Sequence, residues 1–94
     1  MELGLSGRRA IVCGASAGLG RACAQALSNE GVEVVLAART EETLKRAAGE
    51  IAESSGFSVD YVAADVTTEQ GRHALLGKCP DPDILINNAA GPPV

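Results

Sequence analysis

Aromatic side chains are almost missing from this chain, because its 94 residues include one tyrosine, one phenylalanine and no tryptophan. The core must therefore be built from small aliphatic residues, and a chain this short removes only about 60–65% of its unfolded surface from water. We expect residues 1–94 to form a single domain. Basic clusters are also missing, since the net charge is −4 and Arg and Lys are scattered. This distribution gives no basic footprint for a phosphate backbone and argues against a nucleic-acid partner.

Cysteine pairs and long apolar runs are missing as well. Cys13, Cys23 and Cys79 are odd in number and have no Cys-x-x-Cys spacing, so neither a disulfide framework nor a metal site is supported. Free thiols at apolar positions are typical of a reducing compartment, and we expect a cytoplasmic protein. Arg8-Arg9 precedes an apolar run far too short for an export signal or for the roughly twenty residues of a membrane span. The sequence predicts a soluble protein with no membrane partner.

Strand patterns recur along the whole chain. Short runs of β-branched and apolar residues predict four strands, at residues 9–13, 33–38, 58–64 and 84–86. The second run is almost continuously apolar, which is typical of a strand that is covered on both faces of a parallel sheet. Helical patterns separate the strands, and such alternation favours a parallel sheet with right-handed crossovers and helices on its faces.

Each predicted helix has a start or a stop signal. The first begins near residue 19 and stops at Gly31, and the second is capped by Thr40 and ends at Gly56. A weaker third helix runs to about residue 76 from a capping box, with Thr67 at the cap and Gln70 reaching back. Apolar residues at steps of three and four predict the buried stripe of the first helix: Leu19, Ala22, Cys23, Ala26 and Leu27.

A glycine turn joins the first strand to the first helix, with Gly14, Gly18 and Gly20 inside seven residues. Glycine permits a tight turn, allows the backbone to approach a pyrophosphate, and lets helix and strand pack closely. The helix that follows presents unpaired N–H groups and a partial positive charge to phosphates. In this position the turn predicts a dinucleotide site, and the alternative is a glycine-rich turn that binds nothing. No lysine follows, so a nucleoside triphosphatase loop is not indicated.

The spacing Gly14-x-x-x-Gly18-x-Gly20 resembles that of the short-chain dehydrogenase/reductase family. Three more segments resemble this family in the same order: Leu5-Ser6-Gly7-Arg8, Asp65-Val66 and Asp83-Ile84-Leu85-Ile86-Asn87-Asn88-Ala89. Two positions depart from the family's pattern, because Cys13 replaces the usual Thr and Ala90 stands where the Asn-Asn-Ala-Gly motif has Gly. The resemblance covers nearly all of the chain and is to the amino-terminal part of enzymes of the 3-oxoacyl-acyl-carrier-protein reductase type.

The resemblance implies an α/β fold of the Rossmann type, a three-layer sandwich of which residues 1–94 make the amino-terminal part. About four parallel strands in the order 3-2-1-4 and about three helices would form one incomplete NADP(H)-binding domain. Asp65 and Val66 would contact the adenine, and Asn88 and Ala89 would lie near the ribose beside the nicotinamide. The expected cofactor-binding residues are Gly14, Ser16, Ala17, Gly18, Leu19, Gly20, Arg39, Asp65, Val66, Asn88 and Ala89.

The end of the second strand indicates which cofactor is preferred. An acidic residue there accepts hydrogen bonds from a ribose 2′-hydroxyl and repels a 2′-phosphate, but this chain has Ala38. Arg39 follows, and its guanidinium offers a planar fork of donors suited to a phosphate. Ser16 can add a hydroxyl, whereas Ala17 lacks the basic side chain of some relatives. We expect NADP(H) to be preferred over NAD(H), with a solvated, non-binding Arg39 as the alternative.

Proton-transfer residues are not found among these 94 residues. The resemblance implies a Tyr-x-x-x-Lys motif with a helper Ser, but the single tyrosine, Tyr61, has Asp65 four positions later and lies in a predicted strand. His73 stands alone on a predicted helix and receives no catalytic role. We therefore expect the cofactor-binding portion of an NADP(H)-dependent oxidoreductase, inactive alone, shortened at the gene, by cloning or by proteolysis. The alternative is a non-catalytic module that completes its sheet as a homo-oligomer or with a complementing C-terminal half.

Overall fold

The computed structural model describes residues 7–14, 18–65 and 68–87, in which strands and helices alternate. The elements are β1 (Arg9–Cys13), α1 (Gly18–Asn29), β2 (Glu33–Ala38), α2 (Glu41–Ser55), β3 (Val59–Ala63), α3 (Glu69–Lys78) and β4 (Ile84–Asn87). The predicted alternation is confirmed, and β1 and β2 have the predicted bounds. β3 is one residue shorter at each end than predicted, and β4 extends to Asn87.

The four strands form one parallel sheet in the order β3-β2-β1-β4, as the resemblance implies. In the register of the ladders, Cys13 is opposite both Ala37 of β2 and Asn87 of β4. Ala37 is in turn opposite Val62 of β3. Because the strands are parallel and closely in step, their carboxyl ends lie at one edge of the sheet, where open α/β sheets bind ligands.

Alternate residues of the central strands belong to two separate hydrophobic cores, because successive side chains point to opposite faces of a sheet. On one face, α1 and α2 cover Val12, Val34 and Leu36, and the α2 residues Leu44 and Ile51 complete this larger core. The smaller core on the other face lies under α3, with these buried members: Ile11, Cys13, Val35, Ala37, Leu75 and Cys79. Both faces of β1 and β2 are therefore covered, as their continuous apolar runs predict.

The predicted buried stripe of α1 is confirmed only in part, because Leu27 packs half-buried against the larger core and Cys23 is half-buried, but the other three members are exposed. Gly20, Ala24 and Ser28 are the buried residues of this helix, whereas Leu19 is 70% exposed. These three buried residues are small and recur at every fourth position, so they form the face on which α1 packs against α2 and the central strands. The hydroxyls of Ser28 and Ser55 are 2.7 Å apart at this contact, so the buried polar group of Ser28 is satisfied.

The helix ends agree only in part with the predicted caps. Gly56 ends α2 with a left-handed φ of 82°, as predicted, but Thr40 occupies the N-cap position of α2 without a side-chain capping hydrogen bond. The cap of α3 is Thr68, whose side chain accepts a hydrogen bond from the backbone N–H of Gly71, and the helix continues to Lys78. The predicted cap, Thr67, lies outside the described residues. Either of two adjacent threonines could cap the amino terminus of α3. Thr68 is the cap in the structure because its hydroxyl bonds both Asp65 and Gly71.

Candidate functional site

The carboxyl edge of the sheet brings together the ends of β1, β2 and β3. The backbone N–H of Gly14, directly after β1, donates to the carbonyl of Ala37 at 2.7 Å. The backbone N–H of Ala64, directly after β3, donates to the carbonyl of Ala38 at 2.9 Å. These two bonds tie the three strand ends to one another. Arg39 and Asp65, which follow immediately, are consequently held at the same edge as the glycine turn, and the Arg39 side chain is exposed there.

The glycine turn has the backbone conformation that its residues predict. Gly14 and Gly18 have φ values of 69° and 63°, in the left-handed region that side-chain-bearing residues rarely adopt. A Cβ on Gly18 would meet no atom within 4 Å, so the conformation rather than the space requires glycine there. Gly20, the third residue of α1, is buried. Gly14 and Gly18 thus lie at the two described ends of the turn that leads from β1 into α1.

The amino terminus of α1 suits an anion. The first turn of this helix contains no acidic residue, so no carboxylate competes for its unpaired N–H groups or its partial positive charge. Leu19, a predicted site residue, is 70% exposed beside this terminus. Phosphate groups are the ligands that such a helix terminus and a glycine turn bind together.

Of the predicted site residues, six belong to the described part of the chain. They all lie at the carboxyl edge or in the first turn of α1: Gly14, Gly18, Leu19, Gly20, Arg39 and Asp65. The other five predicted site residues lie outside the described residues: Ser16, Ala17, Val66, Asn88 and Ala89. The described half of the site is therefore the part that surrounds the ends of β1, β2 and β3.

One close contact at this edge was not anticipated from the sequence. The carbonyl oxygen of Asp65 accepts hydrogen bonds from both the backbone N–H and the hydroxyl of Thr68, at 3.1 and 2.8 Å. A Cβ added to Gly71 would lie 1.9 Å from the same oxygen. The only signal in the sequence was a glycine, Gly71, three residues after Thr68 at the start of a helix. By itself such a glycine indicates only a weak helix former.

Two cysteines are buried in the smaller core: Cys13 at the carboxyl end of β1, beside the site, and Cys79 at the opposite end of the sheet, near Arg9 and Glu33. Cys13 is 4% exposed, and burial raises the pKa of its thiol above the ordinary value. Cys79 is 3% exposed, and burial is also the main cause of its raised pKa; nearby Arg9 opposes the shift, and nearby carboxylates add to it. Both thiols are therefore protonated at neutral pH and pack as small hydrophobic groups.

Alkylation near neutral pH is expected to distinguish the three cysteines. Cys23 is half-buried on α1, so iodoacetamide should modify it roughly tenfold or more faster than Cys13 or Cys79, whose burial limits both access and thiolate formation. Mass mapping of peptides over a time course measures the order. In concentrated urea all three should react at similar rates, which serves as the control. Modification of Cys13 as fast as Cys23 in the native protein would contradict the burial described.

The described helices include no candidate for a membrane span. Within residues 7–14, 18–65 and 68–87, none of them combines the length and apolar character that crossing a bilayer needs. The same ranges contain no group of three or more His, Cys, Asp or Glu side chains arranged to hold a metal ion.

A parallel sheet in the order 3-2-1-4, with a glycine turn leading into a helix at its carboxyl edge, defines an α/β domain of the Rossmann type. The sequence profile of the short chain dehydrogenases matches residues 8–94. This chain belongs to the short-chain dehydrogenase/reductase family, whose members are oxidoreductases. The resemblance stated from the sequence is confirmed.

Individual relatives are similar over almost the whole chain. An oxidoreductase of Bacillus subtilis, YvaG, is 38% identical over 89 residues, which make up 94% of this chain and 34% of that protein. L-xylulose reductase of Mus musculus is 39% identical over 90 residues, or 96% of this chain and 35% of that protein. The chain thus spans about a third of the length of the curated relatives it matches.

A solved structure gives the same result for the fold. L-sorbose reductase from Gluconobacter frateurii, complexed with NADPH and L-sorbose, superimposes with a TM-score of 0.91 at 38% identity. The match covers 97% of this chain and 36% of that enzyme. A short-chain dehydrogenase/reductase from Mycobacterium marinum superimposes with a TM-score of 0.85 at 34% identity. Relatives of this chain therefore include an enzyme crystallised with NADPH.

Proposed function

We propose that residues 1–94 form one NADP(H)-binding domain, the cofactor-binding portion of an oxidoreductase that transfers a hydride between a carbonyl and an alcohol. The observation that carries this proposal is the glycine turn. Gly14 and Gly18 adopt left-handed φ values at the start of a helix whose first turn has no acidic residue. A pyrophosphate at this point would meet backbone N–H groups and the positive end of the helix dipole.

The strand order sets the direction in which the dinucleotide would lie. The pyrophosphate would sit at the β1 to α1 turn, with Gly14, Gly18 and Gly20 around it and Ser16, Ala17 and Leu19 beside them. β2 and β3 lie on one side of β1, and β4 lies on the other. Arg39 after β2 would therefore meet the 2′-phosphate, and Asp65 and Val66 after β3 would meet the adenine. Asn88 and Ala89, after β4, would face the ribose of the nicotinamide.

Arg39 supports NADP(H) over NAD(H). Its guanidinium is exposed at the carboxyl edge, and among the described residues it has no ion-pair partner that would compete with a phosphate. Ala38, at the end of β2, leaves no carboxylate to bind a 2′-hydroxyl or to repel a 2′-phosphate. The complex of L-sorbose reductase with NADPH is consistent with this assignment in a relative.

We propose no proton-transfer role for any of these 94 residues. Tyr61, the single tyrosine of the sequence, lies within β3 and packs against the larger core. We therefore give it a packing role and do not propose it as the acid. Hydride transfer is the chemistry of the cofactor, and the protein must also orient the substrate and supply a proton. We therefore propose that the 94-residue chain binds the cofactor but reduces no carbonyl compound by itself.

A second candidate function is a non-catalytic dinucleotide-binding module. The observation that favours it is the open edge of β4, where Leu85 is 63% exposed and no further strand is paired within the described residues. A second copy of the chain, or a complementing C-terminal half, would pair with this edge. Size-exclusion chromatography of the 94-residue chain distinguishes the two: a discrete folded dimer would favour the module, and an aggregating or disordered monomer would count against it.

The compartment is part of the same proposal. Cys13, Cys23 and Cys79 are all free thiols in the structure. Proteins of oxidising compartments use cysteines mainly in disulfides, so unpaired thiols support a reducing environment. We propose a cytoplasmic location on this ground, and fractionation of cells that express the protein would test it.

Titration with NADPH tests the proposed site. NADPH fluorescence is expected to saturate at one molecule per chain, and Gly14→Ala should weaken binding by about tenfold because a Cβ at φ 69° is strained by about 1–2 kcal/mol. Gly56→Ala is the matched control, since it places the same strain at the end of α2, away from the site. Folded protein that binds no NADPH, or equal losses in both variants, would refute the site.

A further inference from the structure

Thr68 closes the junction between β3 and α3 with three hydrogen bonds. Its hydroxyl donates to the carbonyl oxygen of Asp65 at 2.8 Å and accepts from the backbone N–H of Gly71 at 2.9 Å. Its backbone N–H donates to the same Asp65 oxygen at 3.1 Å. One side chain therefore links the backbone of Asp65, at the carboxyl edge, to the first turn of α3. A hydroxyl is required, because a single group must donate and accept at once.

Gly71 allows this junction to be as close as it is. A Cβ at position 71 would lie 1.9 Å from the Asp65 oxygen and 2.6 Å from its carbonyl carbon. Both of these atoms belong to the backbone, so no side-chain rotation could relieve the overlap, and the Asp65 carbonyl would have to move by about 1 Å. Gly77 lies in the same helix and has open space around its Cβ position. The requirement for glycine is thus specific to position 71.

The place of Asp65 in the sheet gives this junction a functional meaning. β3 is the outermost strand on the side of β2, and the chain after it is tied to Ala38 by the hydrogen bond from Ala64. A dinucleotide with its pyrophosphate at the β1 to α1 turn and a 2′-phosphate at Arg39 must place its adenine next along the edge, towards β3. Asp65 is therefore at the adenosine end of the site.

We propose that Thr68 and Gly71 are positioning residues for the adenosine half of the cofactor, because they fix the Asp65 backbone at that end of the site. This inference rests on the proposed function. Neither residue touches the cofactor; they act through Asp65. A shift of about 1 Å at a ligand-positioning group is enough to lower affinity substantially, whereas the nicotinamide half lies on the other side of β1 and does not depend on this junction.

The test compares Gly71→Ala with Gly77→Ala in the purified protein, using separate halves of the cofactor as probes. Gly71→Ala is expected to weaken binding of NADPH and of adenosine 2′,5′-bisphosphate by about tenfold or more, with binding of reduced nicotinamide mononucleotide unchanged. Gly77→Ala should leave all three affinities unchanged. Thermal unfolding followed by circular dichroism verifies that both variants are folded at the temperature of the titrations.

A second pair of variants keeps the test independent of the folding of Gly71→Ala. Thr68→Ser keeps the hydroxyl and should bind both adenosine compounds as the unmodified protein does. Thr68→Val has nearly the same shape without the hydroxyl and should show the selective loss. Equal losses for both halves of the cofactor, or unchanged adenosine binding in folded Gly71→Ala or Thr68→Val, would overturn the positioning role. Unmodified protein that binds no NADPH would instead overturn the proposed function itself.

Discussion

Arg39→Asp is expected to weaken NADPH binding by about 100-fold while NADH binding stays the same or improves. If Arg39 binds the 2′-phosphate as proposed, the substitution removes charge-assisted hydrogen bonds that contribute about 1.5–3 kcal/mol each, and it adds a carboxylate that repels the phosphate. The same carboxylate can accept hydrogen bonds from the 2′-hydroxyl of NADH. The exposed position of Arg39 at the carboxyl edge means that the substitution disturbs no packing.

Paired titrations with NADPH and NADH measure this effect. Arg46→Asp is the control, because it makes the same change of charge at another exposed position, on α2. A long-range effect of net charge would lower NADPH affinity in both variants, whereas a 2′-phosphate contact lowers it only in Arg39→Asp. If the unmodified protein bound the two cofactors equally, the assignment of Arg39 to the 2′-phosphate would be wrong.

Leu36→Ala is expected to have the largest effect on stability. Leu36 is completely buried in β2, which is paired on both sides by β1 and β3, and it belongs to the larger core. Removing a buried leucine side chain leaves a cavity and costs about 3–5 kcal/mol, which is a large part of the about 5–15 kcal/mol that stabilises an ordinary domain. The unfolding temperature should fall by more than about 10 °C, or the cooperative transition should be lost.

Leu85→Ala is the control for Leu36→Ala, because it makes the same substitution at an exposed position of a strand. Its side chain is 63% exposed on β4, so the same deletion should cost less than about 1 kcal/mol in the 94-residue chain. Unfolding in urea, followed by circular dichroism for both variants, gives the two free energies. Equal losses would contradict the assignment of the core to the face under α1 and α2.

The strands were predictable because their burial leaves a simple signal. β1 and β2 are covered on both faces, so their sequences are short continuous apolar runs with a defined start and stop. The orientation of α1 was not predictable in this way. Its buried face is set by contacts with α2 and with the central strands, and it contains Gly20 and Ser28, which carry little hydrophobic signal. Tertiary contact therefore overrode the apolar stripe.

The backbone conformation at the glycine turn was predictable to a similar extent, whereas the binding role of its residues stays a prediction. A glycine turn between a strand and a helix has few structural interpretations, and the positive φ values of Gly14 and Gly18 agree with the predicted one. The role of Gly71 depends on a backbone carbonyl six positions earlier, and no local pattern encodes that distance. For the same reason the sequence could not distinguish Thr67 from Thr68 as the cap of α3, since the choice depends on contacts with Asp65.

The pairing of β4 with β1 has a consequence for synthesis of the chain. β2 and β3 each join the strand that precedes them, but β4 returns to the far side of β1, where Asp83 and Arg9 bond across 74 positions. At about 5–20 residues per second, the ribosome needs roughly 2–9 s to add the residues between β2 and β4. During that interval one edge of β1 is unpaired in the nascent chain, so the risk of mispairing depends on the rate of translation.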